Sequence, residues 1–290
     1  MAKFKEILSD INELIVFKHS VFALPFIFTA MITASKITNG SLWFGWKLFI
    51  LGILCAVSAR SFAMAFNRYA DEDIDKFNPR CASRPSVDGR IGRQNLLFFI
   101  IANAAIFIVV AYFINSLAFK LSFPILIILA GYSIFKRFSE TAHIVLGLCL
   151  GLSSVAGAIA VSGAIPLWSL LLCVGVMFWV AGFDVLYSLQ DMDYDKKAGL
   201  FSIPSMYGEK AAMFISQIFH FCAVLFWLFY CGAAGLGAWA YLGVIISAII
   251  LFFEHRIVRR DFSKIDRAFF TLNGYLGILF FCFIFIDLWN

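Results

Sequence analysis

The residues best able to do chemistry lie in two short acidic stretches, each directly after a long apolar run. The first, NRYADEDIDKFNPRCASR, spaces Asn67, Asp71 and Asp75 four apart and follows them with Arg80 and Arg84. On a helix that spacing stacks side chains on one face, so the amide and the two carboxylates form a polar column. Hard oxygen donors of this kind hold Mg²⁺ together with a substrate's phosphates, and arginines suit the phosphate oxygens. The second stretch, DVLYSLQDMDYDKKAG, carries Asp184, Asp191 and Asp195 ahead of Lys196 and Lys197. Steps of seven and four residues are close to two helical turns and one, so these acids also share a face. Two acidic columns with basic residues after each predict a divalent-metal diphosphate site built from both halves of the chain.

Other polar residues extend that site. Arg60 lies seven residues before Asn67, inside an apolar run, where a guanidinium needs an anionic partner from the protein or the substrate. Asp184 sits about two turns inside its own run, where an unpaired carboxylate costs several kcal/mol. Tyr132 and Lys136 stand one turn apart at the end of another run. Alone they read as an interfacial tyrosine and a snorkelling lysine; beside two acidic columns they read as phosphate contacts. Glu72, Asp73 and Asp193 fall off both faces and read as solvated charges. The histidines, His19, His143, His220 and His255, are too scattered for a metal set, and only His19, beside Lys18, is of interest. Asn273 reads as a hydrogen bond within a helix bundle. The seven cysteines show no C-x-x-C and fall mostly in apolar runs, so neither a disulfide framework nor a zinc site is expected.

The elements that position these residues must be membrane helices. Of the 290 residues 62% are hydrophobic and only 14% charged, with a mean hydropathy of +0.90. One globule of this length cannot hide so much apolar surface, so lipid is the solvent for most of it. Apolar runs at 17–37, 43–66, 95–116, 119–135, 142–163, 167–190, 210–231, 236–254 and 268–288 predict about nine spans, the fourth of them short. Lys and Arg gather on alternate connections: Arg68 to Arg93, Lys136 with Arg137, Lys196 to Lys210, and Arg256 to Arg267. By the positive-inside rule the N-terminus and both acidic columns are cytoplasmic. The N-terminus lacks a cleavable signal design. Its apolar residues Phe4, Ile7, Leu8, Ile11, Leu14 and Ile15 suit an interfacial amphipathic helix over 1–16. The acidic columns recur four spans apart, which predicts two related four-helix halves plus one added helix. The whole of 1–290 reads as a single polytopic domain, with cap loops at 67–94 and 191–209.

Taken together, the paired acidic columns with KHSVFALPF, ARSFAMAFNR, NPRCASRP, GYSIFKR and YSLQDMDYDKKAGLFSIP resemble the UbiA family of intramembrane aromatic prenyltransferases, in order and over most of the chain. The resemblance implies an all-α bundle of nine helices around a central cavity, with a cap over the acids. It implies that Asn67, Asp71 and Asp75 bind Mg²⁺ and diphosphate from one side, and Asp191 and Asp195 from the other. Arg80, Arg84 and Lys136 would hold phosphate oxygens beside Tyr132, with Arg60 and Asp184 deeper, near the acceptor ring and the reacting carbon. The implied partners are a polyprenyl diphosphate, an aromatic acceptor such as 4-hydroxybenzoate, and the lipid bilayer; no nucleic acid is expected. The implied place is the inner (cytoplasmic) membrane, and the implied role is ubiquinone or menaquinone biosynthesis. A naphthoate acceptor or haem farnesylation are alternatives within the same acidic chemistry. A cation-coupled transporter is the rival of another class, but it would set its acids near the bilayer midplane.

Overall fold

The structure, a computed structural model, describes residues 9–15, 22–260, 265 and 268–290, apart from the side chains of 268 and 269. Among the described residues nine long helices carry the fold: α1 (Leu24–Asn39), α2 (Trp46–Ala70), α3 (Arg93–Ile114), α4 (Ser116–Phe135), α5 (Ala142–Ser162), α6 (Leu167–Ser188), α7 (Ile203–Ala233), α8 (Ala238–Arg260) and α9 (Asn273–Trp289). Eight stretches of 20 to 32 residues are long and apolar enough to cross a membrane. The chain is a multi-pass membrane protein. Helix α1, 16 residues long, packs among them; the rest of its expected span, 17–21, lies outside the described residues. So do Phe4, Ile7, Leu8, Lys18 and His19 of the N-terminal readings. Leu14 and Ile15, from the described part, are buried against Phe62, Leu96 and Leu129 of α2, α3 and α4.

Local chemistry explains the helix ends. Helix α1 has Pro25 in its first turn, where a missing N–H costs nothing. The span read as short, α4, is one 20-residue helix despite Pro124 inside it. Helix α7 begins at Ile203, earlier than the expected 210, because Ser202 and Ser205 form a reciprocal capping box with Pro204 in the first turn. Gly208, at φ 80° and ψ 170°, then breaks it just before that expected start. The two acid-bearing helices, α2 and α6, end alike. Each gives way to a short helix, Glu72–Asp75 after α2 and Met192–Ala198 after α6, the latter through a tight 3₁₀ turn at Leu189–Asp191.

Helix α6 is the most buried of the spanning helices, and glycines let its neighbours approach it. A Cβ on Gly147 or Gly151 of α5 would stand 2.2 Å from the carbonyl oxygen of Met177 or 2.4 Å from that of Cys173. Only bare backbone fits that approach. On the far side, Gly175 and Gly182 of α6 face Trp227 and His220 of α7. Helices α1 through α6 enclose a cavity of about 560 Å³, almost wholly apolar, whose lining includes Arg60 and Tyr132. Within the second half, Asn273 accepts from the Trp179 indole (2.8 Å) and donates to Glu254 (2.7 Å), the bundle hydrogen bond its position predicts.

Candidate active site

The end of α2 carries the first acids. Asn67 Nδ2 donates to Asp71 Oδ2 at 2.8 Å, one turn on, so these two do stack as the spacing predicts. Asp71 is the residue that caps α2, and its carbonyl accepts from Asp75 N, carrying the register into the next turn. Both Asp71 and Asp75 are buried, at 1% and 3% exposure. Burial pushes the Asp71 carboxyl above the ordinary carboxylate range, and Lys136 pulls it back. Lys136, at the end of α4, reaches Asp71 Oδ2 at 2.6 Å. Asp71 Oδ1 is buried with no hydrogen bond, and the Arg137 guanidinium stands 3.8 Å from it.

The connection after α2 supplies arginines to both acidic sets. Arg84 pairs with Asp75 at 2.5 Å. Arg80 crosses to Asp191 at 2.5 Å, with its guanidinium over the Tyr187 ring, 5.0 Å from the centroid. Asn78 makes that crossing possible: its side chain accepts from Arg80 N (3.0 Å) to cap the Pro79–Cys81 turn and donates to Asp191 (3.4 Å). Tyr194 donates to the Ile74 carbonyl at 2.7 Å, a second tie between the two acidic ends. Asp195 accepts from Ser202 Oγ at 2.9 Å. Asn67, Asp71, Asp75, Arg80, Arg84, Lys136, Asp191 and Asp195 thus form one linked polar assembly. Arg60 and Tyr132 line the cavity, seven residues before Asn67 and four before Lys136, about 10 Å and 6 Å along their helices.

Two details of the arrangement bear on the acidic columns. Among the described residues, no three His, Cys, Asp or Glu side chains group closely enough to hold a metal ion by themselves; the acids are interleaved with Arg80, Arg84 and Lys136. A 3₁₀ turn at Leu189–Asp191, winding three residues per turn, separates Asp184 from Asp195 and shifts the helical phase between them. Asp184 accepts from His143 Nδ1 at 2.6 Å.

Several contributors escaped the motif reading. Arg68, expected among the loop charges, is buried against Asn67 at 3.2 Å and Asp75 at 4.0 Å. Arg137 holds Asp73 at 2.7 Å, so this acid is exposed but paired. His143 was legible in principle. It precedes Gly147 and Gly151 at intervals of four, and a histidine in line with two close-approach glycines faces the helix they face.

A family model described as the UbiA prenyltransferase family matches residues 23–284. The 4-hydroxybenzoate octaprenyltransferase of Aeromonas salmonicida is 29% identical over 238 residues, 81% of each chain. That of Yersinia enterocolitica is 30% identical over 83% of each. Among solved structures, the apo structure of a UbiA homolog from Aeropyrum pernix K1 superposes with a TM-score of 0.83 at 32% identity, covering 93% of this chain and 98% of that one. A UbiA homolog from Archaeoglobus fulgidus bound to GPP and Mg²⁺ gives 0.71 at 21% identity, covering 97% and 100%. The chain belongs to the UbiA prenyltransferase family.

Proposed function

We propose that this prenyltransferase moves a polyprenyl group from a polyprenyl diphosphate to an aromatic hydroxy-acid, 4-hydroxybenzoate, with Mg²⁺ at the diphosphate, in quinone biosynthesis. One observation carries the reading: the connection after α2 pairs Arg84 with Asp75 and Arg80 with Asp191, bringing acids from the ends of α2 and α6 into one assembly beside an apolar cavity whose lining includes Arg60 and Tyr132. The acceptor follows the relatives, which are 4-hydroxybenzoate octaprenyltransferases.

The oxygen donors fit a hard divalent ion. Asp71 Oδ1 is a buried acceptor with no hydrogen bond, and Asn67, Asp75, Asp191 and Asp195 offer further oxygens, to be completed by the diphosphate itself. When bound, the ion supplies positive charge against the departing diphosphate. Arg80, Arg84 and Lys136 take phosphate oxygens through charge-assisted hydrogen bonds, with Tyr132 alongside. Carbon–oxygen cleavage leaves an allylic cation, which the apolar cavity shields from water while housing the isoprenoid tail. Arg60 and Asp184 serve the acceptor ring and the reacting carbon. Attack by the ring carbon ortho to the hydroxyl, then loss of its proton, completes the transfer. The basic connections support a cytoplasmic N-terminus and a site that faces the cytoplasm from the inner membrane; in this reading 67–94 and 191–209 form the cap and 1–16 serves the interface.

The test is purified protein in lipid with Mg²⁺ and radiolabelled geranyl diphosphate, offered 4-hydroxybenzoate or a dihydroxynaphthoate. Prenylated 4-hydroxybenzoate is expected, lost on chelation and in Asp71→Ala and Asp191→Ala. Product with the naphthoate alone would overturn the acceptor assignment, and no product with either would overturn the reading.

A further inference from the structure

His143 lies at the start of α5, 4% exposed. The glycine contacts set an antiparallel register in which Gly151 meets Cys173 and Gly147 meets Met177. One more turn along α5 brings His143 level with Ala181 on α6, within reach of Asp184 three residues further on. There the imidazole makes two hydrogen bonds whose directions fix each other. Ile203 N donates to His143 Nε2 at 3.2 Å. That nitrogen must therefore keep its lone pair, which leaves the ring proton on Nδ1. Nδ1–H donates to Asp184 Oδ2 at 2.6 Å. The ring is thus a neutral imidazole of one tautomer, set by a backbone amide and aimed at one carboxylate oxygen. Asp184 Oδ1 is left for the substrate.

The backbone amide that sets the tautomer belongs to the site. Phe201 N donates to the Lys136 carbonyl at 2.8 Å, and Ser202 Oγ donates to Asp195 at 2.9 Å. Residues 201–203 therefore touch the lysine assigned to phosphate, an acid of the second set and, through His143, the deeper acid Asp184.

We propose that His143 is a positioning residue for prenyl transfer: it holds the Asp184 carboxylate in one rotamer and ties it to the 201–203 segment. The proposal rests on the reading of Asp184 given under Proposed function. A glutamine amide also offers a donor and an acceptor flanking one carbon, as the imidazole nitrogens do, so His143→Gln can make both bonds, whereas the similarly sized His143→Leu makes neither.

The test combines kinetics and spectroscopy on the full chain in lipid. With geranyl diphosphate and 4-hydroxybenzoate, His143→Leu is expected to lower kcat by about 30-fold while KM for the diphosphate stays within about twofold. His143→Gln is expected to recover at least about a third of the wild-type kcat. In Asp184→Asn, adding His143→Leu is expected to cost nothing further, because the histidine acts through that acid. ¹⁵N NMR of histidine-labelled wild type should show His143 with its proton on Nδ1, and Asp184→Asn should shift that signal. Equal losses in the Leu and Gln variants, additive losses in the double variant, or a proton on Nε2 would each overturn the proposal. A wild type with the Nδ1–H signal that transfers no prenyl group would overturn the functional reading while upholding the hydrogen-bond geometry proposed here.

Discussion

Gly147→Ala tests how the α5–α6 approach sets the site. The added Cβ would stand 2.2 Å from the Met177 carbonyl oxygen and 3.0 Å from its carbon. Both are backbone atoms and cannot rotate away, so α5 and α6 must part by about 1 Å to restore normal contact. Overpacking of this kind costs about 1–3 kcal/mol, against which alanine's better helix propensity returns about 1 kcal/mol. The net expectation is a loss of up to about 2 kcal/mol. Gly131→Ala on α4 is the control, because nothing lies within 4 Å of its added Cβ; it should gain up to about 1 kcal/mol. The same parting of helices stretches the 2.6 Å His143–Asp184 bond beyond hydrogen-bond range. A misplacement of about 1 Å near the chemistry costs up to about 100-fold in rate. Thermal unfolding in lipid nanodiscs, with prenyl-transfer rates on the same samples, reads both effects. A Gly147→Ala protein matching wild type in stability and rate would refute the argument.

Lys136 pulls the Asp71 carboxyl down against the rise that burial causes. Lys136→Met should therefore move the acidic limb of kcat/KM to higher pH, because removing a cation makes the acid easier to protonate. Arg137→Met should move it less, since that cation lies at 3.8 Å rather than 2.6 Å; pH–rate profiles of the two variants decide the order. Asn273→Leu strands the Trp179 N–H and the fully buried Glu254, and is expected to destabilise the bundle by about 2–5 kcal/mol. A loss below about 1 kcal/mol in reversible unfolding would contradict that account.

Acids in a strongly apolar chain are conspicuous, which is why Asp71, Asp75, Asp191 and Asp195 could be named from spacing alone, and the apolar runs located nearly every helix. What spacing could not show was phase across irregular turns. Helical periodicity runs Asp184 straight on to Asp191 and gives no sign of the 3₁₀ turn at Leu189–Asp191. Nor does local periodicity report partners far along the chain. His143 meets an acid 41 residues away, and Arg80 meets one 111 residues away. Glu254 is buried in α8 against an asparagine 19 residues on. The arginines' preference for phosphate was legible; their pairing with Asp75 and Asp191 required the fold. Helix α7 shows the same limit at a boundary, where a glycine break hid a helix start set by Ser202 and Pro204.

The central claim is that acids from the two halves act as one diphosphate site. It is tested most directly by calorimetric binding of geranyl diphosphate to the lipid-reconstituted chain, with Mg²⁺ and after chelation, for wild type, Asp71→Asn, Asp191→Asn and the double variant. The account predicts Mg²⁺-dependent binding weakened by about tenfold or more in either single variant, with less than additive further loss in the double. Binding that ignores Mg²⁺, or that survives intact when either half loses its acid, would contradict it.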